Sequence, residues 1–159
     1  MDYYQSAGSL VLGSRLKRIS DKFLLEVGKV YQQRNIDFDP SWFPFFFLLD
    51  QNKTLSLREI SNQLNVSHSA VSQLATALIK KELLEMNRCE TDGRRRIIQL
   101  TEKGEALLSQ SKPIWKALQD TMIEMTNKGD SQLLKELSDL ENYLKEEKLS
   151  DRVLKKIEL

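Results

Sequence analysis

The 159-residue sequence predicts a mainly α-helical protein with one small β-hairpin. Three observations predict it. Two short amphipathic helical patterns stand side by side between Ser56 and Lys81. Two short apolar runs, one with Leu83, Leu84 and Met86 and one with Ile97, Ile98 and Leu100, flank a polar stretch containing the turn signal Asp92-Gly93. Long stripes of apolar residues at helical spacing occupy both ends of the chain.

The paired helices come first. Ser56-Leu57-Arg58-Glu59 has the form of a capping box, in which the Ser56 hydroxyl accepts the Glu59 amide and the Glu59 carboxylate reaches back to the Ser56 amide. Ile60 and Leu64 share a face, and Asn65 can adopt the left-handed conformation that ends a helix without glycine. Val66 is expected to pack inward and Ser67 to cap the next helix. There Val71, Leu74, Ala75 and Leu78 make the buried stripe, while Ser69, Ser72, Gln73, Thr76 and Lys80 project from the opposite side. Short uncharged hydrogen bonders can read base edges without burying an unpaired charge. The plainer reading is an ordinary solvated helix face. Against it, the solvated faces elsewhere are mainly Lys and Glu, and no acid occurs between Ser67 and Lys81, which suits a surface that approaches phosphates.

The hairpin follows. Asp92-Gly93 is succeeded at once by Arg94, Arg95 and Arg96. Three guanidinium groups at a hairpin tip make a poor core and a good phosphate or narrow-groove contact; the alternative is a solvated basic turn. Behind two such helices the hairpin becomes the wing of a winged helix-turn-helix, and the expected function is DNA binding.

The segment resembles the MarR (multiple-antibiotic-resistance regulator) family of winged-helix transcription factors. The residues that carry the resemblance are the helix pair Leu57–Leu64 and Ser67–Lys81, the wing Asp92-Gly93-Arg94-Arg95-Arg96, and the exit Ile98-Gln99-Leu100-Thr101-Glu102-Lys103-Gly104. The last two resemble the family's Asp-x-Arg wing and Leu-Thr-x-x-Gly pattern. The resemblance implies that Arg94 enters a minor groove and that Asp92 orients it. It also implies a homodimer with intertwined terminal helices, and small aromatic effectors bound between those helices and the winged lobe. One departure stands out: family wings often carry a second Asp-x-Arg upstream, where this chain has Cys89-Glu90-Thr91. Arg95 and Arg96 are the residues at hand to replace its contacts.

Composition sets the bounds. Hydrophobic residues at 40% suffice for a packed core, and the net charge of +1 is not that of a strongly basic protein. A nucleic-acid site must therefore come from local distribution, and the positive excess lies in residues 1–36 and in the winged segment. A cytoplasmic protein is expected, with no apolar run of membrane-spanning length and no secretory signal. The single cysteine excludes an intramolecular disulfide, and the single histidine excludes a multi-histidine metal site. No cofactor is expected. No base, orienting acid and nucleophile suggest a shared site, so an enzyme is not expected. His68 reads instead as a phosphate or base-edge hydrogen bonder, or as a solvated residue at the helix N-terminus. Cys89 at the wing does not match the family's redox-sensing cysteine, which lies in the first helix.

Three regions are expected: residues 1–36 as an N-terminal dimerisation helix, 37–104 as the winged helix-turn-helix, and 105–159 as C-terminal dimerisation helices. From Tyr3 to Asn35 the chain reads as helical throughout, with Leu12, Leu16, Ile19, Phe23, Val27 and Val30 in one stripe. A partner helix, from a second subunit or from the C-terminal segment, would explain that stripe; alternatively the helix covers its own core. After the loop Asp37-Phe38-Asp39-Pro40, Ser41 is placed to open a helix that carries Trp42-Phe43-Pro44-Phe45-Phe46-Phe47-Leu48-Leu49 and is apolar enough to be buried. Core filling is the plain reading. The sharper one is a wall of the effector pocket, with Tyr31, Trp42, Phe45, Phe46 and Trp115 near the ligand. Thr101 is read as capping a helix to about Thr126, with Leu107, Ile114, Leu118, Met122 and Met125 as its apolar side and Pro113 within it. After a turn at Asn127-Lys128-Gly129-Asp130, Leu133, Leu137, Leu140 and Leu144 form a heptad-like seam in a helix from about Ser131 to Glu147. A short helix carrying Val153, Leu154 and Ile157 follows.

The reading is a homodimeric winged helix-turn-helix regulator, expected to repress by binding a pseudo-palindromic operator. Ser67, His68, Ser69, Ser72, Gln73, Thr76 and Lys80 would meet a major groove, and Asp92, Arg94, Arg95 and Arg96 the flanking minor groove. Two rivals remain: the regulatory module of a winged-helix/acetyltransferase fusion, and a winged-helix protein-interaction module without DNA binding.

Overall fold

A computed structural model describes residues 3–88, 96–126 and 132–157. Its elements in chain order are α1 (Tyr3–Ser6), a 3-10 turn (Gly8–Val11), α2 (Leu12–Gln33), a 3-10 turn (Pro40–Trp42), α3 (Phe43–Asn52), β1 (Thr54–Leu55), α4 (Leu57–Leu64), α5 (His68–Lys80), β2 (Leu84–Arg88), β3 (Arg96–Leu100), α6 (Glu102–Met125), α7 (Gln132–Glu146) and α8 (Leu149–Ile157). The chain divides into two compact units, Met1–Ile114 and Trp115–Leu159. No described helix is long and apolar enough to cross a membrane.

In the first unit, aromatic side chains build one end of the core. Tyr31 stacks on Phe38 with ring centroids 4.8 Å apart, and Phe38 meets Trp42 and Phe46 edge-on. Phe45, Phe46 and Leu49 of α3 are buried, as are Ile60, Val71, Ala75 and Leu78 from the helix pair. Leu84, Ile98 and Leu100 close the core from the sheet. Strand order is β1-β3-β2, antiparallel throughout. The β2–β3 register pairs Leu84 with Leu100, Met86 with Ile98 and Arg88 with Arg96.

Three helices of this unit end alike. At Asn35, Asn65 and Glu82 the backbone turns left-handed, with φ of 55°, 52° and 61°. In each case the next amide reaches back five residues: Ile36 to Tyr31, Val66 to Ser61 and Leu83 to Leu78. These bonds satisfy carbonyls that a helix end leaves open. Asparagine tolerates this conformation and glutamate does so at a cost, so Glu82 is held there by its surroundings.

Several expectations are corrected. The N-terminal segment is not one helix: α1 stops, Gly8 takes φ +60°, and α2 begins only at Leu12. Of α2, Tyr31 alone is buried, while Leu12, Leu16, Ile19, Phe23 and Val30 stay 37–44% exposed. Ser41 does not open α3. Asp39 accepts the Ser41 amide at 2.8 Å and caps the preceding turn. Nor is α3 buried all round, because Phe43 and Phe47 lie 38% and 44% exposed with their rings 5.4 Å apart. Val66 is likewise 44% exposed. Ser61 brackets it, donating its hydroxyl to the Val66 carbonyl while its own carbonyl accepts the Val66 amide, which fixes the backbone and leaves the side chain outward. The buried side of α6 is Gly104, Leu108 and Ser111, not the side marked by Leu107 and Ile114.

In the second unit, Trp115, Leu118 and Met122 are half-buried, as are Leu137 and Leu140, while Leu133 and Leu144 are 47% and 46% exposed. Arg152 ties α8 back to α7. Its Nη2 donates to the Tyr143 carbonyl at 3.0 Å, which also accepts the Glu147 amide, and its Nε donates to the Glu147 carbonyl at 3.4 Å, just past the end of α7.

Candidate nucleic-acid interface

Helix α5 is fixed at both ends and along its back. Ser67 accepts the Ala70 amide at 3.2 Å. Val71, Ala75 and Leu78 anchor the inner face at 1% exposure or less. Its support helix α4 carries the full capping box, with the Glu59 carboxylate accepting both the Ser56 amide and hydroxyl at 2.8 Å. A helix held this way presents its outer face in a single orientation.

That face is the one the sequence marked. His68, Ser69, Ser72, Gln73 and Thr76 together line a shallow groove. Within it, the Gln73 amide nitrogen donates to the Ser69 hydroxyl at 3.4 Å, and the Thr76 hydroxyl donates to the Ser72 carbonyl at 2.8 Å. Ser67 and Lys80 lie exposed at the two ends. No ionised acid contributes to the groove, so its surface is neutral and rich in donors and acceptors.

The hairpin stands beyond the C-terminal end of α5. Thr101 secures it: its amide donates to the Leu83 carbonyl at 3.1 Å, its hydroxyl donates to the Glu82 carbonyl at 2.6 Å, and the same hydroxyl accepts the Gly104 amide at 3.1 Å. Lys103 adds a bond from its Nζ to the Lys81 carbonyl at 2.8 Å. The start of α6 is thereby pinned to the segment that leaves α5. On the hairpin, Gln99 donates to the Glu85 carboxylate across the strands. Asp92, Arg94 and Arg95 lie outside the described residues, as do Cys89 and Gly93. Arg96 is described, exposed, and directly opposite Arg88. Sequence reading missed Arg88. Strand alternation was the available signal, since Leu84, Met86 and Arg88 share a face. Two facing guanidiniums oppose pairing of the strands, and an anion between them would remove that cost.

Of the pocket residues named from sequence, Tyr31, Phe45 and Phe46 are at most 2% exposed and Trp42 is 8% exposed. Tyr31, Trp42 and Phe46 each pack on Phe38, the member the sequence reading left out, and Phe45 is buried core. Lys81 covers the outer edge of this cluster, its Nζ 5.2 Å from the Trp42 ring centre and 3.7 Å from the Asp37 carboxylate. Trp115 belongs to the second unit, where it is half-buried. Among the described residues, no group of three or more His, Cys, Asp or Glu side chains is placed to hold a metal ion.

Comparison with known proteins bears on this arrangement. Residues 36–95 match the model of the MarR family. Among curated proteins no sequence match is found. Solved structures share the fold over most of the chain. A MarR/EmrR family transcriptional regulator from Acinetobacter sp. ADP1 is similar with a TM-score of 0.73 and 21% identity, over 92% of this chain and 100% of that one. The transcriptional repressor CouR, bound to a 23-mer DNA duplex, is similar at 0.69 and 25% identity, over 83% and 93%. MepR of S. aureus, in a DNA complex, is similar at 0.72 and 20% identity, over 84% and 97%. Residues 36–95 thus match the MarR family of transcriptional regulators, and the fold of nearly the whole chain is shared with a solved MarR/EmrR family structure.

Proposed function

We propose that the protein is a homodimeric repressor that binds a pseudo-palindromic operator, each subunit laying α5 in a major groove and its β2–β3 hairpin at the flanking minor groove. The observation that carries this reading is the acid-free, hydrogen-bonding groove of α5 on a helix held rigid from behind. The exposed apolar stripe of α2 supports a second copy as its partner. CouR and MepR, both similar in fold, are DNA complexes, and CouR is named a repressor. Two-fold symmetry sets half-site centres about one turn, roughly 10 bp, apart. Arg94 enters the minor groove and Asp92 orients it, with Arg95 and Arg96 on the adjoining phosphates. An aromatic effector releasing the DNA belongs to the same proposal; it must separate the packed rings around Trp42, which tryptophan fluorescence against a panel of phenolic compounds would register.

The test is footprinting of the full chain on its own upstream DNA over a salt series. A protected pseudo-palindrome is expected, and Arg94→Ala should lower affinity and flatten the salt slope by about one unit per subunit. Retention that does not vary with salt, or no protection at any salt, would remove DNA binding and leave the protein-interaction reading.

A further inference from the structure

Resting on the DNA-reading proposal, we propose that Gln73 and Thr76 give α5 a preference for A·T pairs, Gln73 by pairing with adenine and Thr76 by touching the thymine methyl group rather than by hydrogen bonding. The argument starts from which groups are already in use. The Thr76 hydroxyl donates its only proton to the Ser72 carbonyl at 2.8 Å. It can then donate nothing to a base, and a rotamer that keeps this bond turns the hydroxyl back along the helix. The side chain is exposed and lines the groove, so the γ-methyl is the group it offers outward. In a major groove the partner for such a methyl is the C5-methyl of thymine.

Gln73 is in the opposite state. One proton of its amide nitrogen goes to the Ser69 hydroxyl, at 3.4 Å. The second proton and the carbonyl oxygen remain, which is the donor–acceptor pair that fits adenine N7 and N6. Ser69 acts as a positioning residue, because a glutamine tethered one turn back loses less rotamer freedom when it meets a base. Gln73 and Thr76 are three residues apart and so adjacent on the surface of α5, a spacing that serves neighbouring base pairs. No lysine, arginine or acid lines this groove, so the features that select guanine through Arg or Lys, or cytosine through a carboxylate, are missing from it.

Selection of duplexes from a random pool by the full-length wild-type protein, followed by affinity measurement on the selected duplex, tests this. Enrichment of A·T pairs at fixed positions in each half-site is expected. Replacing the contacted thymine by uracil removes only the methyl, and should weaken wild type about fourfold per half-site. Thr76→Val keeps the methyl and should retain that sensitivity; Thr76→Ser keeps the hydroxyl and should lose it. Replacing the contacted A·T by G·C should cost wild type roughly 5- to 150-fold and Gln73→Ala far less. Wild type indifferent to uracil at every half-site position, or Thr76→Ser as sensitive as wild type, overturns the assignment. Salt-dependent binding without A·T enrichment overturns it while leaving DNA binding intact, and absence of salt-dependent binding overturns both.

Discussion

Gly104 lies so close to the carbonyl of Leu83 that an added Cβ would run into that oxygen, with the Leu100 side chain 3.1 Å away on another side. The same carbonyl accepts the Thr101 amide, so it has no room to move without breaking a bond that pins α6 beside the hairpin. The Leu-Thr-x-x-Gly pattern thus has a steric cause here. Gly104→Ala gains helix propensity of about 1 kcal/mol, but overpacking against backbone costs more. We expect a net loss of about 1–3 kcal/mol, a fall in Tm of roughly 2–10 °C by circular dichroism. An unchanged or raised Tm would show that the contact yields.

Ser56 closes the front of α4 with three hydrogen bonds to Glu59 and is only 9% exposed. Removing its hydroxyl leaves the Glu59 amide without its cap. Ser56→Ala is expected to cost about 1–2 kcal/mol by urea unfolding. Because α4 supports α5 from behind, operator affinity should fall with it at temperatures near the lowered Tm and recover on cooling. Loss of affinity with unchanged stability would mean that Ser56 touches DNA itself.

Arg88 and Arg96 face each other at the outer end of the described hairpin. On the proposed reading, the free protein tolerates this repulsion because DNA phosphate relieves it. Arg88→Glu replaces a like pair by an opposite one, so stability should rise by about 0.2–1 kcal/mol while operator affinity falls and its salt slope flattens. A variant that is less stable and binds DNA as before would assign Arg88 a purely structural role.

The helix pair was legible in the sequence because its signals are local: Ser56 with Glu59, Asn65, and Ser67 all act within one turn of where they sit. The groove residues were legible for the same reason, since a sound α5 phase fixes which side chains face out. What escaped was set at a distance or by shape. Strand β1 has two residues and exists through pairing with Gln99 and Ile98, more than forty positions away. The inner side of α6 carries a glycine and a serine, chosen for close approach, so hydropathy pointed to the wrong side. Glu82 turns left-handed because the Thr101 hydroxyl holds its carbonyl and the Leu78 carbonyl holds the Leu83 amide after it, and nothing in a glutamate announces that. The N-terminal break falls at Gly8, upstream of the apolar stripe, which begins only at Leu12 and so carries no information about where the helix starts.

In the second unit, Lys155 donates to the Glu147 carboxylate, and this bond holds the Glu147 carboxyl below the usual glutamate range, with the charges of Lys155 and Arg152 adding to it. A lowered folded-state value means that the contribution to folding is present above the ordinary glutamate range and is lost as pH falls through the lowered value. Carboxyl NMR should find Glu147 titrating below the other glutamates, and Lys155→Ala should move it up toward them. The α7–α8 corner should loosen on acidification through the same window. A Glu147 that titrates with the rest would mean the pair does not persist in solution.

Ile19 lies mid-stripe on α2 at 42% exposure, between Leu16 at 37% and Phe23 at 40%. A monomer in water has no reason to hold such a row outward, and a two-fold partner meets it with the same row reversed. Ile19→Glu keeps the helix, since glutamate is the better helix former. It places an unpaired charge in each copy of the proposed interface, at about 2 kcal/mol or more apiece, so symmetry brings the loss to about 4 kcal/mol. Sedimentation should then show the dimer dissociating at roughly a thousandfold higher concentration, and the operator footprint should shrink to weak half-site contacts. A variant that sediments as wild type would move the interface away from α2 and require another cover for its stripe.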